Sequence, residues 1–466
     1  MIPLLTADEM RALERWAIDS GRALSLDLQE RAAQGAAWLV PDGVAVEVLA
    51  GPGNNGGDAL AVARLLKQRG QQVRVWSLAE DQAWTGDAGF QAARWKEMGG
   101  AVEFSSHPEP MVEDWDHRWI VDGMFGLSVN RPLEGVAARW AEALAGHPVL
   151  ALDQPSWMRP DDPDGQGPEV TRTAAFGFLK LCHGLEPARA RCGDVHLAEL
   201  GLDLAASPVK PIHWLMEAPT LPRPAWNTHK RQRGHVGVRA GSLGMSGAAV
   251  LAALGALRSG AGLVTVLADK DVRAEIAGQI PEAMVHAWDG SVPPGIDVLL
   301  VGPGGITELP PWEGPLVVDA SALTPGRGAE WMERPGTILT PHTGEFARLF
   351  ELPKQSTTLE RISQAADIAT GPGVCLLKGP QTLTVGGSSK EVWINDTGHW
   401  GLATGGTGDF LSGMVAGLFA QGLSAREAAA GAAWLHGTCA DRLGRGPLLA
   451  RDLAEELPKL LRELYA

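Results

Sequence analysis

Apolar strand-like runs, small-residue loops and helices alternate along this chain, and the alternation breaks once, at a proline-rich stretch. In the first series, the glycine loop GPGNNGGD joins an apolar strand to an amphipathic helix and then to a second strand. A similar series starts near residue 225 and continues towards the end of the chain. Strand–helix–strand units of this kind build parallel sheets. The sequence therefore predicts two α/β domains, at 1–205 and 225–466, joined by a linker at 206–224.

The charge balance argues against two classes of partner. Lys and Arg together number 40 and Asp and Glu 55, which gives a formal net charge of −15. Such a surface repels nucleic acids and anionic membranes, so we expect neither as a partner. A small anionic ligand remains possible, because backbone amides at a helix start can bind it locally.

The cysteines and the N-terminal segment indicate the compartment. The chain has four cysteines but no CxxC pair, which favours free thiols in a reducing compartment and argues against a zinc site. The first residues, MIPLLTADEMRALERW, carry acids where a signal peptide needs basic residues, and no window reaches about 18 uninterrupted apolar residues. We therefore expect a cytoplasmic protein.

The loop Gly51–Asp58 is the first candidate site. Its glycines allow a ligand to approach the backbone, and the helix that follows offers unpaired N–H groups to a phosphate. The two adjacent asparagines could coordinate a hard monovalent cation or bind an amide, although a Gly/Asn-rich turn alone is the alternative. The candidate contacts of this loop are Asn54, Asn55, Gly56, Gly57 and Asp58.

Two aspartates follow neighbouring strands of the same domain. Asp122 ends the run RWIV, and Asp153 ends PVLAL. Because the carboxyl ends of parallel strands meet at one edge of a sheet, the two carboxylates could form an acid/base pair near the glycine loop. Each one alone could instead be a helix cap.

The stretches GPGNNGGD, VDGMFGLSVNRPLEG and LDQPS resemble the epimerase family that interconverts the R and S hydrates of NADH and NADPH at C6 of the nicotinamide ring. The resemblance covers residues 1–205 and implies a Rossmann-like three-layer domain. It implies K⁺ at Asn55, Asp122 and Ser156, and catalysis near Asp122 or Asp153. The substrate contacts that it implies are Asn54 to Asp58, Gly126, Leu127, Ser128, Val129, Asn130, Arg131, Pro132 and Asp153.

Two residues depart from the pattern of that family. Ala59 replaces the last glycine of the usual NNGGDG, and Trp157 replaces the glycine of the usual DxPSG. An indole beside a backbone-lined site could narrow or block the pocket. The sequence therefore leaves open whether the N-terminal domain is an active epimerase or a non-catalytic binding or oligomerisation module.

The stretch LATGGTGDFLSG is the second candidate site. Its glycines let successive amides converge on one anion, and the helix that follows directs its positive end to the same place. Asp409 at the helix start suits a general base that takes a proton from an attacking hydroxyl during phosphoryl transfer. The alternative is an aspartate that only caps the helix.

Other strand-end loops of the second series carry matching groups. LKGPQT ends a strand with a cation and amides suited to phosphates, and TPHTGEF places His342 near Glu345. A lone histidine on such a loop is more often structural, but among these loops we favour a substrate contact.

These loops, with GSLGMSGAA and ALRSGAGLVTV, resemble the ribokinase-like superfamily and, more narrowly, the nucleotide-dependent NAD(P)H-hydrate dehydratases. That chemistry phosphorylates the C6 hydroxyl of the S hydrate and then eliminates phosphate, with ADP the favoured donor over ATP and Mg²⁺ beside the phosphates. The implied hydrate contacts are Ala248, Gly304, His342 and Asp409. The implied nucleotide contacts are Lys378, Gly379, Pro380, Gln381, Thr382, Gly405, Gly406, Thr407 and Gly408.

Three features depart from the dehydratase pattern. Arg239 occupies a strand position that is normally apolar, GPGG is shorter than the usual GPGLG, and Ser321 replaces an acid. The last substitution could weaken a metal or substrate contact.

Both resemblances together imply a bifunctional repair enzyme for NADHX and NADPHX, the hydrated coenzymes, and we expect it to be a homo-oligomer. The nearest alternative is a ribokinase-like kinase of a vitamin alcohol, with a non-catalytic N-terminal module. A nicotinamide dehydrogenase is disfavoured, because the chain lacks GxGxxG with its ribose-binding acid.

Overall fold

The computed structural model describes residues 1–106 and 118–465. The chain divides into two compact units, Pro3–Ile212 and His213–Ala466, and the second unit also includes Met1–Ile2. The boundary falls inside the stretch 206–224, where the sequence predicts a linker. Part of that stretch is nevertheless a strand, His213–Leu215, because His213 and Leu215 are buried and the segment pairs with a strand of the second unit.

The N-terminal unit is built on a parallel sheet with helices packed against it. The strands of this sheet run in the order β4-β3-β2-β5-β6-β7-β9, and β1 and β8, which lie outside it, pair in parallel. The strands are β1 Ile2–Leu5, β2 Val46–Ala50, β3 Val73–Ser77, β4 Glu103–Phe104, β5 Trp119–Gly123, β6 Val149–Leu152, β7 Arg172–Phe176, β8 Leu179–Lys180 and β9 Asp194–Ala198. The helices are α1 Ala7–Asp19, α2 Ser25–Trp38, α3 Asn54–Gln68, α4 Gly86–Glu97, α5 Gly135–Ala143 and α6 Leu181–Gly184.

The sheet order explains why the predicted site residues meet. Strand β2 is buried along its whole length, as expected for a parallel strand covered on both faces. It lies beside β5, and β5 lies beside β6, all parallel. The loops that follow these strands therefore leave the sheet at one edge, where α3 begins directly after Gly53.

The C-terminal unit has a larger sheet, in the order β13-β12-β11-β14-β15-β16-β17-β18-β19-β10. Its pairs are parallel except β17–β18 and β18–β19. The strands are β10 His213–Leu215, β11 His235–Arg239, β12 Leu263–Ala268, β13 Met284–Ala287, β14 Val298–Val301, β15 Leu316–Val318, β16 Thr337–Leu339, β17 Val374–Leu377, β18 Thr382–Gly386 and β19 Val392–Asn395. The helices are α7 Ser246–Arg258, α8 Arg273–Gln279, α9 Gly328–Met332, α10 Thr343–Leu349, α11 Thr358–Asp367, α12 Thr407–Ala420, α13 Ala425–Leu443 and α14 Ala450–Tyr465.

Close helix packing holds the second glycine site in place. Helix α12 lies against α7 so tightly that a Cβ on Gly413 would lie 2.0 Å from the carbonyl oxygen of Ala252. Both helices contribute to the main apolar core of this unit, together with the buried faces of β11 and β14. The α/β fold class predicted from the sequence is confirmed. Within the described ranges, no helix combines the length and apolarity that a bilayer span requires.

Candidate active sites

The N-terminal unit contains a cavity of about 540 Å³ at the carboxyl edge of its sheet. Helix α1, the glycine loop, the loop after β5 and the end of β6 all contribute to its wall. Its lining residues are Arg11, Glu14, Pro52, Gly53, Asn54, Asn55, Asp58, Met124, Phe125, Gly126, Leu127, Ser128, Asp153, Phe176 and Lys180.

Asp153 is held in this cavity by a buried lysine. It has a φ of 66°, in the left-handed region, and its carboxylate accepts hydrogen bonds from Lys180 Nζ and, at 3.1 Å, from the N–H of Phe176. Lys180 also donates to the carbonyl oxygen of Phe176 at 2.8 Å. Sequence reasoning missed Lys180, although a lysine within the apolar run FGFLKL was a usable signal.

Two further carboxyl groups share the cavity with Asp153. Burial, and next the nearby charge of Asp153, raise the pKa of Glu14 to about 7. The same two causes raise the pKa of Asp58 well above its usual range, while a hydrogen bond with Gln29 opposes the shift. Sequence reasoning missed Glu14, because helical spacing alone places it on an ordinary face of α1. A carboxyl with a pKa near neutrality can give or take a proton at physiological pH.

Asp122 lies beneath this cavity wall and is fully buried. Its two oxygens accept from Ser156 Oγ at 2.6 Å and from the N–H of Ser156 at 2.8 Å. Burial raises its pKa to about 6, against these hydrogen bonds, and no cation of the described residues contributes to that shift. This cluster of a carboxylate and a hydroxyl, with the Asn55 amide near the same loop at Gly126, fits a hard monovalent cation such as K⁺.

Several predicted contacts lie elsewhere. Gly56 and Gly57 pack inside the fold: a Cβ on Gly56 would lie 1.8 Å from the carbonyl oxygen of Gly51, and one on Gly57 would lie 2.6 Å from Gln29 Nε2. They permit close packing of α3. Among the described residues, the end of the loop after β5 does not line the cavity. This part of the loop comprises Val129, Asn130, Arg131 and Pro132.

The two departures from the epimerase pattern leave the cavity open. Ala59 is fully buried and packs against Gly123 of β5. Trp157 lies over Gly167, where a Cβ would be 2.2 Å from the indole, and it joins the apolar clusters on that side of the sheet. Neither side chain lines the cavity.

The C-terminal unit contains a cavity of about 680 Å³ between the loops after β16, β17 and β19 and the helices α12 and α13. Its lining residues are His342, Thr343, Lys378, Gly379, Pro380, Thr382, Asn395, Thr397, Gly398, His399, Trp400, Leu402, Ala403, Thr407, Gly408, Leu411, Ala433, His436 and Gly437. Among the predicted nucleotide contacts, Gln381, Gly405 and Gly406 are not part of this wall.

The turn before α12 requires glycine at Gly406, both for its backbone conformation and for its close packing. Gly406 caps the helix with a φ of 92°, and a Cβ there would lie 2.5 Å from Leu251 of α7. Thr407 Oγ1 donates to the carbonyl oxygens of Leu402 and Thr404, both at 2.8 Å, which fixes the turn. A Cβ on Gly405 would have nothing within 4 Å, so the start of α12 is open to a ligand.

Asp409 stands in the first turn of α12 with a perturbed pKa. Burial, and next the charge of Asp319, raise this pKa to about 6, while Lys378 opposes the shift. Asp319 is buried and accepts from Lys378 Nζ at 2.9 Å and from Thr340 Oγ1 at 2.8 Å. Sequence reasoning did not select Asp319, although it follows the apolar strand LVV as Asp122 follows RWIV.

The other predicted hydrate contacts lie in two places: Gly304 and Ala248 near the loop after β11, and His342 at the start of α10. Gly304 accepts from the N–H and Oγ of Ser242, so it lies beside the loop that leads into the helix of Ala248. His342 caps α10: its Nδ1 accepts from the N–H of Gly344 at 3.0 Å, and its ring is largely exposed. His342 therefore stabilises the start of α10, and the same residue also lines the cavity.

The departures in this half are accommodated. Arg239 forms an ion pair with Asp269 at 2.9 Å and lies 4.9 Å from the ring centre of Trp288. Ser321 is exposed, and the acid that pairs with Lys378 is Asp319 instead. The shortened GPGG uses positive φ at Gly302, Gly304 and Gly305.

Family comparisons cover both units. The family described as NAD(P)H-hydrate dehydratase matches residues 236–461. The family described as YjeF-related protein N-terminus matches residues 20–182.

Full-length relatives carry both halves. The chain is 33% identical to the bifunctional NAD(P)H-hydrate repair enzyme Nnr of Coxiella burnetii, with 97% of this chain and 98% of that protein covered. It is 33% identical to that of Moorella thermoacetica, covering 99% and 97%, and 30% identical to that of Escherichia coli, covering 98% and 93%.

Among solved structures, the ADP/ATP-dependent NAD(P)H-hydrate dehydratase of Bacillus subtilis, co-crystallised with ATP/Mg²⁺, is 32% identical with a TM-score of 0.47. The match covers 53% of this chain and 95% of that one.

The family models and the relatives decide against the vitamin-kinase alternative. The likeness to ribokinases describes the fold of the C-terminal half, not a vitamin kinase activity, and the relatives pair that half with an epimerase. The chain belongs to the family of bifunctional NAD(P)H-hydrate repair enzymes, which combine an epimerase with a nucleotide-dependent dehydratase.

Proposed function

We propose that the two cavities divide the repair of hydrated coenzyme between them. The domain at 1–205 interconverts the R and S hydrates of NADH and NADPH, and the domain at 225–466 dehydrates the S hydrate. The observation that carries the second assignment is the carboxylate of Asp409, raised in pKa, at an open helix start beside the cation of Lys378.

In the dehydratase, Asp409 takes the proton of the C6 hydroxyl as that oxygen attacks the terminal phosphoryl group of the nucleotide. A phosphate ester forms at C6 and the shortened nucleotide leaves. The ring nitrogen then supplies the electron pair that expels phosphate from C6, and loss of a proton from C5 restores the dihydropyridine double bond. Phosphorylation is needed because phosphate is a far better leaving group than hydroxide.

The nucleotide would lie along Lys378 to Thr382, with its phosphates at Thr407 and Gly408. A Cβ on Gly408 would lie 3.6 Å from Lys378 Nζ, so the cation and the amides of the helix start can reach the same phosphate. Mg²⁺ suits the carboxylate oxygens of Asp319 next to such phosphates, and when bound it would neutralise the charge of the phosphates. We favour ADP over ATP as donor.

In the epimerase, the hydrate would bind against Asn54, Asn55 and the loop at Gly126. The hydrated carbon is a carbinolamine, so its configuration inverts if the C6–N1 bond opens to an aldehyde and closes on the other face. Opening takes a proton from the hydroxyl and gives one to nitrogen, and closure reverses both. Asp153 and Glu14 lie in the cavity wall, and we assign them the transfer of these protons.

K⁺ at Asn55, Asp122 and Ser156 would hold the loop after β5 against the end of β6. Ser156 Oγ already exchanges hydrogen bonds with the N–H and carbonyl oxygen of Phe125, at 2.8 and 3.0 Å. An Asp122→Ala variant tests this role: it should lose epimerisation of the R hydrate and keep dehydration of the S hydrate. Unchanged repair of the R hydrate would refute it.

A single experiment tests the division of labour. Mixed R and S hydrates are supplied with ADP or with ATP, and the disappearance of each epimer is followed by chromatography together with release of inorganic phosphate. The proposal requires both epimers to disappear with one phosphate released per coenzyme recovered. Accumulation of a phosphorylated product would contradict it. Cytoplasmic location and a homo-oligomeric state stay predictions, the second testable by light scattering.

A further inference from the structure

Three potential metal ligands cluster next to Lys180 in the N-terminal unit, and the proposed repair chemistry does not use them. Cys182 and His183 lie in the short helix α6, and Cys192 follows the 3₁₀ turn at Arg189–Arg191. Their potential ligand atoms all lie within 4.8 Å of one another. All three side chains are buried, with relative exposures of 0%, 3% and 0% in chain order.

The spacing of these atoms is of the size that one metal ion requires. Zinc binds thiolate sulfur at about 2.3 Å and imidazole nitrogen at about 2.0 Å, so two ligands of one ion lie at most about 4.6 Å apart. Two thiols and an imidazole are soft or borderline donors, which select Zn²⁺ or Cu⁺ over Mg²⁺ or Ca²⁺. Met158 belongs to the same buried cluster and adds a thioether to these surroundings.

We propose that Cys182, His183 and Cys192 form a binding site for one thiophilic d¹⁰ metal ion, Zn²⁺ or Cu⁺. The charge favours Zn²⁺, because two thiolates neutralise it and leave no net charge next to the buried pair of Lys180 and Asp153. Cu⁺ would leave one negative charge there. The three residues span eleven positions of the chain, so the ion would tie the start of α6 to the segment that returns to β9.

Metal coordination would break different existing contacts at the three ligands. Cys192 Sγ lies 3.6 Å from the carbonyl oxygens of Cys182 and Ala188, which are weak contacts. His183 Nδ1 accepts the N–H of Lys180 at 3.1 Å. Coordination through Nδ1 replaces that hydrogen bond, and coordination through Nε2 moves the ring proton to Nδ1, which also breaks it. The two cysteines therefore supply most of the affinity and His183 less.

A bound ion would affect the enzyme through the position of one side chain, Lys180. Lys180 immediately precedes α6 and donates to Asp153 in the epimerase cavity. A bound ion would fix α6 and therefore the position of that ammonium group. Because the ligands are buried, the ion must enter before folding is complete, and its binding free energy adds to the stability of the folded state.

The test measures metal content and stability, not repair activity, so its outcome is independent of the proposed reaction. Full-length protein is produced in medium supplemented with zinc or with copper, dialysed against a weak chelator and analysed by mass spectrometry for bound metal. The matched variants are Cys182→Ala, Cys192→Ala and His183→Ala, and the control is Cys439→Ala, a buried free cysteine of the other unit.

The proposal requires about one ion per chain in the parent and in the control, and loss of the ion in both cysteine variants. The metal-loaded parent should also unfold several degrees higher than parent stripped of metal during refolding, and Cys192→Ala should show no such shift. If a variant does not fold, Co²⁺ bound to the parent gives a second reading, since thiolate ligation produces an intense near-ultraviolet charge-transfer band. A parent free of metal under both supplements, or a disulfide between Cys182 and Cys192, would overturn the proposal.

Discussion

Lys378 and Asp319 form an ion pair, with 2.9 Å between Nζ and Oδ1, directly beside the glycine turn that starts α12. The lysine ends one strand and the aspartate ends another strand of the same sheet, two places away. Their pairing raises the pKa of Lys378 despite its burial, so the side chain stays a cation where phosphates are proposed to bind.

We expect Lys378→Met to weaken nucleotide binding at least tenfold, because a charged phosphate contact is lost. The variant also leaves Asp319 buried without its cation, which costs about 3–5 kcal/mol of stability. Calorimetric titration with ADP and thermal unfolding measure the two effects. The double variant Lys378→Met/Asp319→Asn should recover much of the stability but none of the affinity, and nucleotide binding at the parental level by either would exclude Lys378 as a phosphate contact.

Asp409→Asn should lose dehydration while gaining stability. Loss of a general base costs about 10²–10⁴-fold in rate. The folded protein holds the pKa of Asp409 at about 6, above its unfolded value, so ionisation at pH 7 destabilises the fold and a neutral amide relieves that cost. We expect kcat to fall at least a hundredfold, with nucleotide affinity unchanged and Tm equal or a few degrees higher. Dehydration at the parental rate would remove Asp409 from the mechanism.

The pH profile of dehydration follows from the same carboxyl group. Only ionised Asp409 can accept the hydroxyl proton, so kcat/KM should rise with pH and level off above a pKa of about 6. Bound Mg²⁺ would move the inflection to lower pH, because a nearby dication favours the carboxylate. Initial rates across pH 5–8 check this. A profile that falls as pH rises through this range would assign the essential group to an acid instead.

The sequence predicted the parts of both sites that depend on strand ends. Asp122 lies near the end of β5 and Asp153 follows β6, and the parallel order of that sheet brings both to one edge. Asp409 follows the glycine turn that starts α12 in the other unit. This rule needs only the order of elements along the chain. It explains why the fold class and the cavity-lining loops could be predicted from motifs.

The residues that sequence reasoning missed depend on packing between distant segments. Glu14 is a site residue only because α1 lies over the sheet edge, and Lys180 only because β8 pairs with β1. The spacing of Cys182 and Cys192 matches no metal motif, yet a turn between them brings their sulfurs together. Gly56 and Gly57 show why a glycine loop is ambiguous, because glycines that suit a ligand also suit close helix packing.

Glu14→Gln tests the missed carboxyl group of the epimerase. The pKa of Glu14, raised to about 7, predicts that the pH dependence of epimerisation has an inflection near neutrality. The variant should lose that inflection and at least tenfold in kcat, with dehydration of the S hydrate unaffected. Asp19→Asn, an exposed position at the end of the same helix, is the matched control. An inflection that persists in Glu14→Gln would belong to another group of the cavity.

Trp157→Gly restores the residue that the epimerase pattern usually has. The variant tests whether Trp157 contributes to stability or restricts epimerisation. The indole packs over Gly167 and contributes to two apolar clusters without lining the cavity. Removing it should therefore lower stability by about 2 kcal/mol or more while leaving kcat/KM for epimerisation within a factor of two or three. Thermal unfolding and epimer-resolved chromatography measure both. A marked rise in epimerisation would mean that the tryptophan restricts the substrate after all.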